Sequence, residues 1–176
     1  MDASSFWDNP LVSQVAFRPR QTARRSPDGD AEGSLPVAEG VSLGWRLHKA
    51  PSATSGVEAP ATSPSCCSHG GAIVCYFHAN AEVVDDVEYL LPLFWEAGYS
   101  AVLAVDYRGY GWSTGTPTLG TLLQDVEAWT AALPALLQRN GLGDRPLLAY
   151  GRSLGAACAV HAAVYAPVRS SSALRA

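Results

Sequence analysis

Four stretches of the chain are apolar enough to be buried, and their periods differ. Val41-Ser-Leu-Gly-Trp-Arg-Leu-His48 alternates apolar and polar positions, the period-2 signature of a half-buried strand. From residue 72 the alternation gives way to continuous runs: Ala72 to Phe77, Ala101 to Val105 and Pro146 to Tyr150. Such runs predict strands covered on both faces. Between them the apolar residues fall at helical spacing. Val83, Val87, Leu90, Leu91 and Phe94 form one set, closed by Gly98. Pro92 should kink or shorten that helix. Leu119, Leu122, Val126, Trp129, Leu133 and Leu137 form a second, with Pro134 a local blemish and Asn140-Gly-Leu-Gly143 its end. Leu154 to Tyr165 is a third. Residues 72 to 165 thus read strand, helix, strand, helix, strand, helix. That order implies right-handed crossovers and an α/β fold with a parallel sheet covered on both faces.

The remaining stretches are polar or small. Residues 1 to 17 carry Phe6, Trp7, Leu11, Val12, Val15 and Phe17, too much apolar surface for a pure tail. Residues 18 to 34 are rich in Arg, Asp, Pro and Gly and read as flexible. Residues 50 to 71 hold almost no large side chain, so a disordered insertion is expected there. The organisation read from this is an N-terminal segment over 1–35, an α/β domain over 36–166 and a tail over 167–176.

Composition narrows the function classes. The chain has 176 residues, 48% of them hydrophobic, which is enough for one domain with a real core. A net charge of −4 argues against nucleic-acid binding, which needs a concentrated basic face. The one basic cluster, Arg18 to Arg25, is diluted by Pro19 and flanked by Ser26 and Pro27, and reads as a solvated loop. No C-x-x-C occurs, and no two histidines share metal-ligand spacing. Cys75 and Cys158 read as buried thiols, while the adjacent Cys66 and Cys67 read as loop rather than as an S-acylation site. The N-terminus has no basic region followed by an apolar core, as a secretory signal would. No apolar run approaches the roughly 18 residues of a membrane span. A soluble protein of the cytoplasm is expected.

In parallel sheets functional groups collect at the carboxyl ends of the strands. Three turns therefore matter. The last, Gly151-Arg-Ser-Leu-Gly155, matches G-x-S-x-G and joins a strand directly to a helix. Such a turn forces its serine into strained geometry with the hydroxyl clear of the sheet, and the helix N-terminus favours developing negative charge. Ser153 is the candidate nucleophile; the bland alternative is a serine N-cap. A nucleophilic serine needs oxyanion donors. One is expected from the backbone N–H of Leu154 and the other from Asn80, in the turn Phe77-His-Ala-Asn-Ala-Glu82. His78 reads as structural. The middle turn, Val105 to Gly115, carries Gly109, Gly111 and Gly115. Its third glycine comes one position late for a dinucleotide fingerprint, because Thr114 stands there. Asp106 and Arg108 are expected to brace this turn. His48, His69 and His161 are expected to be structural.

Taken together, the three turns resemble those of the alpha/beta-hydrolase superfamily, most closely the small eukaryotic serine hydrolases that include protein depalmitoylases. The matching residues are His78-Ala-Asn-Ala81, Asp106-Tyr-Arg-Gly-Tyr-Gly-Trp-Ser-Thr-Gly115 and Gly151-Arg-Ser-Leu-Gly155, in family order. Ala79 stands where the family usually has glycine. The resemblance implies an alpha/beta-hydrolase fold over residues 36–166 and hydrolysis of acyl esters or thioesters without a cofactor. It also implies a triad of Ser, then Asp or Glu, then His. Residues 167 to 176 contain no Asp, Glu or His. Two readings follow: the N-terminal part of a serine hydrolase whose acid and base lie beyond Ala176, or a catalytically silent binding or regulatory remnant. Without later strands, the strand ending at Tyr150 is expected to lie at an exposed edge. The family likeness leaves peripheral membrane attachment open, and the N-terminus offers no clear anchor.

Overall fold

A computed structural model describes residues 6–25, 31–51, 71–143 and 145–165. Five strands form one sheet: β1 (Ala31–Ala38), β2 (Val41–Lys49), β3 (Ile73–Phe77), β4 (Ala101–Val105) and β5 (Leu147–Gly151). Their spatial order is β1-β2-β4-β3-β5. β2 runs antiparallel to β1 and to β4, whereas β3 is parallel to both β4 and β5. Around the sheet lie α1 (Pro10–Ala16), a 3₁₀ helix (Val84–Leu90), α2 (Leu91–Glu96), α3 (Leu119–Arg139) and α4 (Leu154–Tyr165).

The continuous apolar runs become β3 and β4, buried at every residue. Alternate side chains serve two cores. Ile73, Cys75, Phe77, Leu103 and Val105 pack with Trp129 and Leu133 of α3 and Cys158 of α4. Val74, Tyr76, Val102 and Ala104 pack with Val84, Val87 and Phe94 on the other face. The helix expected from Val83 divides at Leu91. Pro92 falls in the first turn of α2, where its missing N–H costs no hydrogen bond. Pro134 does not interrupt α3, which runs unbroken from a Thr118 cap whose hydroxyl accepts the Thr121 N–H at 3.0 Å. β5 pairs only with β3 among the described residues and so lies at the sheet edge, as expected.

Two readings are corrected. Residues 31–34, read as flexible, open β1, and the sheet begins at Ala31 rather than near 36. The Arg18 to Arg25 stretch is not simply solvated: Arg20, Arg24 and Arg25 pair with Asp86, Glu32 and Asp85 respectively. Glu32 takes part in both. Glu32 stands opposite Arg46 in the β1–β2 register, and its carboxylate lies 2.8 Å from the Arg46 guanidinium. Arg46 also pairs with Asp85 of the 3₁₀ helix and lies 5.4 Å from the Trp112 ring. The polar face of β2 is therefore covered, and Arg46 is only 3% exposed where a half-buried strand would leave it in water. Of the N-terminal apolar residues, Phe17 is buried while Phe6, Trp7, Leu11 and Val15 remain exposed. The expected insertion falls mostly on residues 52–70, and Cys66, Cys67, His69 and the 167–176 tail are likewise outside the described residues.

Arg46 ties the hairpin to the 3₁₀ helix through two carboxylates that are themselves largely out of water. Arg46→Ala leaves both short of a partner and should lower stability by about 3–5 kcal/mol, read from the urea unfolding midpoint.

Candidate active site

β3, β4 and β5 end level with one another: Phe77 is in register with Val105 on one side and with Gly151 on the other. The three turns singled out in the sequence are thus neighbours at one end of the sheet. The last of them carries Ser153, which is exposed and has φ +53°. A non-glycine residue in that region costs on the order of 1–3 kcal/mol. What enforces it is crowding. The N–H of Arg152 donates to the Phe77 carbonyl at 3.1 Å, pinning the turn to the end of β3. A Cβ on Gly155 would lie 2.6 Å from the Phe77 carbonyl carbon and 2.7 Å from the His78 oxygen. A Cβ on Gly151 would lie 2.7 Å from the Cα of Ala156. Only glycine fits at either place, and the serine between them takes the left-handed turn.

The facing turn follows β3. Its 79–82 segment is closed twice: the Glu82 N–H donates to the Ala79 carbonyl at 3.1 Å, and the Ala79 N–H donates to the Glu82 carboxylate at 2.9 Å. Ala81, inside it, has φ +66°. Ala79 itself is 8% exposed, so the methyl group absent from the family's usual glycine is accommodated. The Asn80 side chain is engaged by the N-terminal arm and the Tyr110 loop. Its oxygen accepts the Arg18 N–H at 2.9 Å and the Tyr110 hydroxyl at 2.6 Å, and its amide donates to the Ala16 carbonyl at 2.9 Å. With the side chain so engaged, the main-chain N–H of Asn80 is the candidate oxyanion donor. Neither that group nor the Leu154 N–H donates to a backbone carbonyl among the described residues.

Beneath this turn His78 is fully buried. Its Nδ1 lies 2.8 Å from the Ala79 carbonyl and its Nε2 3.3 Å from Asp106 Oδ1. Both ring nitrogens therefore face oxygen atoms of the two turns. Burial pushes the Asp106 pKa up, against the opposing pull of His78. Asp106 Oδ1 also accepts the Val84 N–H at 2.9 Å, and the Asp106 carbonyl accepts the Ser113 hydroxyl at 3.1 Å. Asp106 thus braces its turn as expected. Arg108 instead reaches α3 and grips Asp125 with two bonds of 2.6 and 2.7 Å, which raise its own pKa. Gly109, Gly111 and Gly115 all have positive φ, and a Cβ on Gly111 would lie 2.6 Å from the Asp106 carboxyl carbon.

The other histidines lie elsewhere. His161 pairs with Glu127 of α3 at 3.0 Å, and His48 is in register with Val102 toward the amino end of β4. Burial pushes the Cys75 and Cys158 thiols up to about 12, so neither offers a thiolate near neutral pH. Among the described residues no group of His, Cys, Asp and Glu could hold a metal ion, and no helix is long and apolar enough to cross a membrane. The sequence did not reveal Glu82, Arg152, Tyr89 and the 16–22 arm as parts of the site. The arm crosses the site because the Gly111 N–H donates to Arg20 at 2.8 Å and the Thr22 N–H to Gly111 at 3.0 Å. Only Glu82 carried a local signal, its place three residues beyond the N–H it accepts, the spacing of a capping box.

No family model matches the chain. The human protein ABHD12B is 36% identical over an alignment of 141 residues, and the match covers 73% of this chain and 35% of that protein. The bem46 protein of Schizosaccharomyces pombe is 34% identical over 85 residues, 48% of this chain and 27% of that protein. The chain therefore spans about a third of the length of these curated relatives. Among solved structures, the esterase Pf2001 of Pyrococcus furiosus superposes with a TM-score of 0.52 at 18% identity, over 81% of this chain and 48% of that one.

Gly111→Ala would force a methyl group into the Asp106 carboxylate at a positive φ. It should destabilise the protein by about 2–5 kcal/mol, measured by thermal or urea unfolding.

Proposed function

The chain belongs to the alpha/beta-hydrolase superfamily, and on that premise we propose that it is the nucleophile-bearing part of a serine hydrolase of acyl esters or thioesters. The observation that carries this reading is Ser153: exposed, at φ +53°, between strand and helix, and pressed against the turn that holds Asn80. A main chain does not hold a serine in that conformation to cap a helix, since a cap takes extended geometry without strain.

In the reaction, Ser153 Oγ attacks the acyl carbonyl carbon as its proton passes to a general base. The carbonyl oxygen becomes an oxyanion, met by the N–H groups of Asn80 and Leu154 and by the N-terminal end of α4. Collapse breaks the C–O or C–S bond, and the base returns the proton to the departing alcohol or thiol. Water then attacks the acyl-serine with the same base accepting its proton, and the acid leaves with Ser153 restored. His78 is locked against Asp106 and the Ala79 carbonyl, and His161 is engaged with Glu127. The family resemblance implies a Ser, acid, His order, so the base and its acid partner are assigned to the part of the relatives' length that this chain does not span. No cofactor takes part in this chemistry.

The test is covalent labelling of the full-length protein with a fluorophosphonate. The adduct should map to Ser153, and Ser153→Ala should abolish it and lower kcat on an acyl ester by about 10,000-fold or more. A folded full-length protein that forms no adduct at Ser153 is instead a silent, hydrolase-like binding protein.

A further inference from the structure

The two strained turns are joined by side chains as well as by packing. Arg152, the residue before Ser153, reaches out with its guanidinium to the Glu82 carboxylate and the Tyr89 hydroxyl. Glu82 meets it with Oε1 while Oε2 accepts the Ala79 N–H at 2.9 Å. One carboxylate therefore bridges the turn that carries Ser153 to the turn that carries Asn80, across 70 residues of sequence. The Glu82 side chain is 18% exposed, which shields the bridge from solvent on one side. Nearby Glu82 raises the Arg152 pKa, as a tight charge pair would.

We propose that Glu82 is a positioning residue: its carboxylate sets the Asn80 N–H at the distance and angle from Ser153 that the oxyanion requires. This inference rests on the serine-hydrolase reading. The argument is one of allocation. Of the main-chain N–H groups in the 79–82 turn, those of Ala79 and Glu82 are bonded within the turn itself. By taking the Ala79 N–H, Glu82 removes it from competition and turns the peptide so that the following N–H is free. By holding Arg152 at the same time, it ties that orientation to the backbone of Ser153. Ala81 is held at φ +66° within the same closed turn, and the closure by Glu82 keeps it there. Without the carboxylate, the Ala79 N–H must find water or rotate, Ala81 can relax, and the Asn80 N–H swings away.

The geometry matters only when charge develops on the substrate oxygen, so the effect falls on the chemical step. Glu82→Ala in the full-length protein should slow the chemical step of fluorophosphonate labelling at Ser153 about 100-fold, in line with loss of one oxyanion donor. The saturation constant for the probe should stay within about 3-fold, since ground-state binding is untouched. Glu82→Gln keeps an acceptor for the Ala79 N–H and should recover to within about 10-fold of the wild-type rate. Amide hydrogen exchange over residues 77–83 should accelerate in Glu82→Ala and, through the lost tether, in Arg152→Met. A wild-type labelling rate in Glu82→Ala overturns the proposal, as does a rate loss that Glu82→Gln does not rescue. If the wild-type protein does not label at Ser153, the serine-hydrolase reading fails instead. Unchanged exchange over 77–83 in both variants then removes the bridge as well.

Discussion

The contact on which the site depends is the approach of the first turn of α4 to the carbonyl end of β3. Helix and strand meet with no side chain between them, because positions 151 and 155 have none to offer. That closeness sets the left-handed turn at Ser153 and places it beside the turn after β3. The rest of α4 is built to permit it. The helix buries Cys158, Ala159 and Ala162 against the sheet, all small, so its axis can lie close along its length. A helix with leucine at these positions would ride higher and open the gap at its start.

The hydrophobic cores on the two faces stack sheet and helices but cannot by themselves fix loops, since apolar burial has no direction. Direction comes from buried polar groups. His78 and Asp106 join the turns after β3 and β4, and Asp106 reaches the start of the 3₁₀ helix through Val84. Arg46 joins the same helix to the β1–β2 hairpin. The Asn80 side chain ties the 16–18 arm to the Tyr110 loop. Each of these contacts ends on a loop or on the short 3₁₀ helix. The polar groups are buried at a desolvation cost, and what they return is a defined loop geometry.

Much of this was legible in the sequence. The runs from Ala72, Ala101 and Pro146 gave three parallel strands to within a residue, because an unbroken apolar run has no polar position to confuse its bounds; β3 and β4 are buried throughout, while β5, at the edge, is only partly buried. The serine turn was legible because two glycines at fixed spacing have a single steric explanation. β1 was not. Its first residues, through Gly33 and Ser34, read as loop, and what makes it a strand is its ladder with β2, from Ala31↔Leu47 to Ala38↔Val41, whose partners lie in another segment. The burial of Arg46 was hidden for the same reason: period-2 alternation shows which face is polar, not what covers it. Asn80 was found at its position, but its side chain proved to serve the N-terminal arm. That contact spans 64 residues and leaves no local trace.

The parallel pairing of β3 with β5 has a consequence for how the molecule assembles. Ile73 aligns with Leu147 and Phe77 with Gly151, so the strands that bear the two halves of the site are far apart in the chain, with β4 and α3 between them. Loops of that length close slowly, and contacts of high sequence separation form late. The β1–β2 hairpin needs only a short connection and no distant partner. On a growing polypeptide the sheet would be nucleated at the end remote from the chemistry. Ser153 would reach its strained geometry only when β5 docks on β3, so the reactive turn would follow the hairpin rather than seed it.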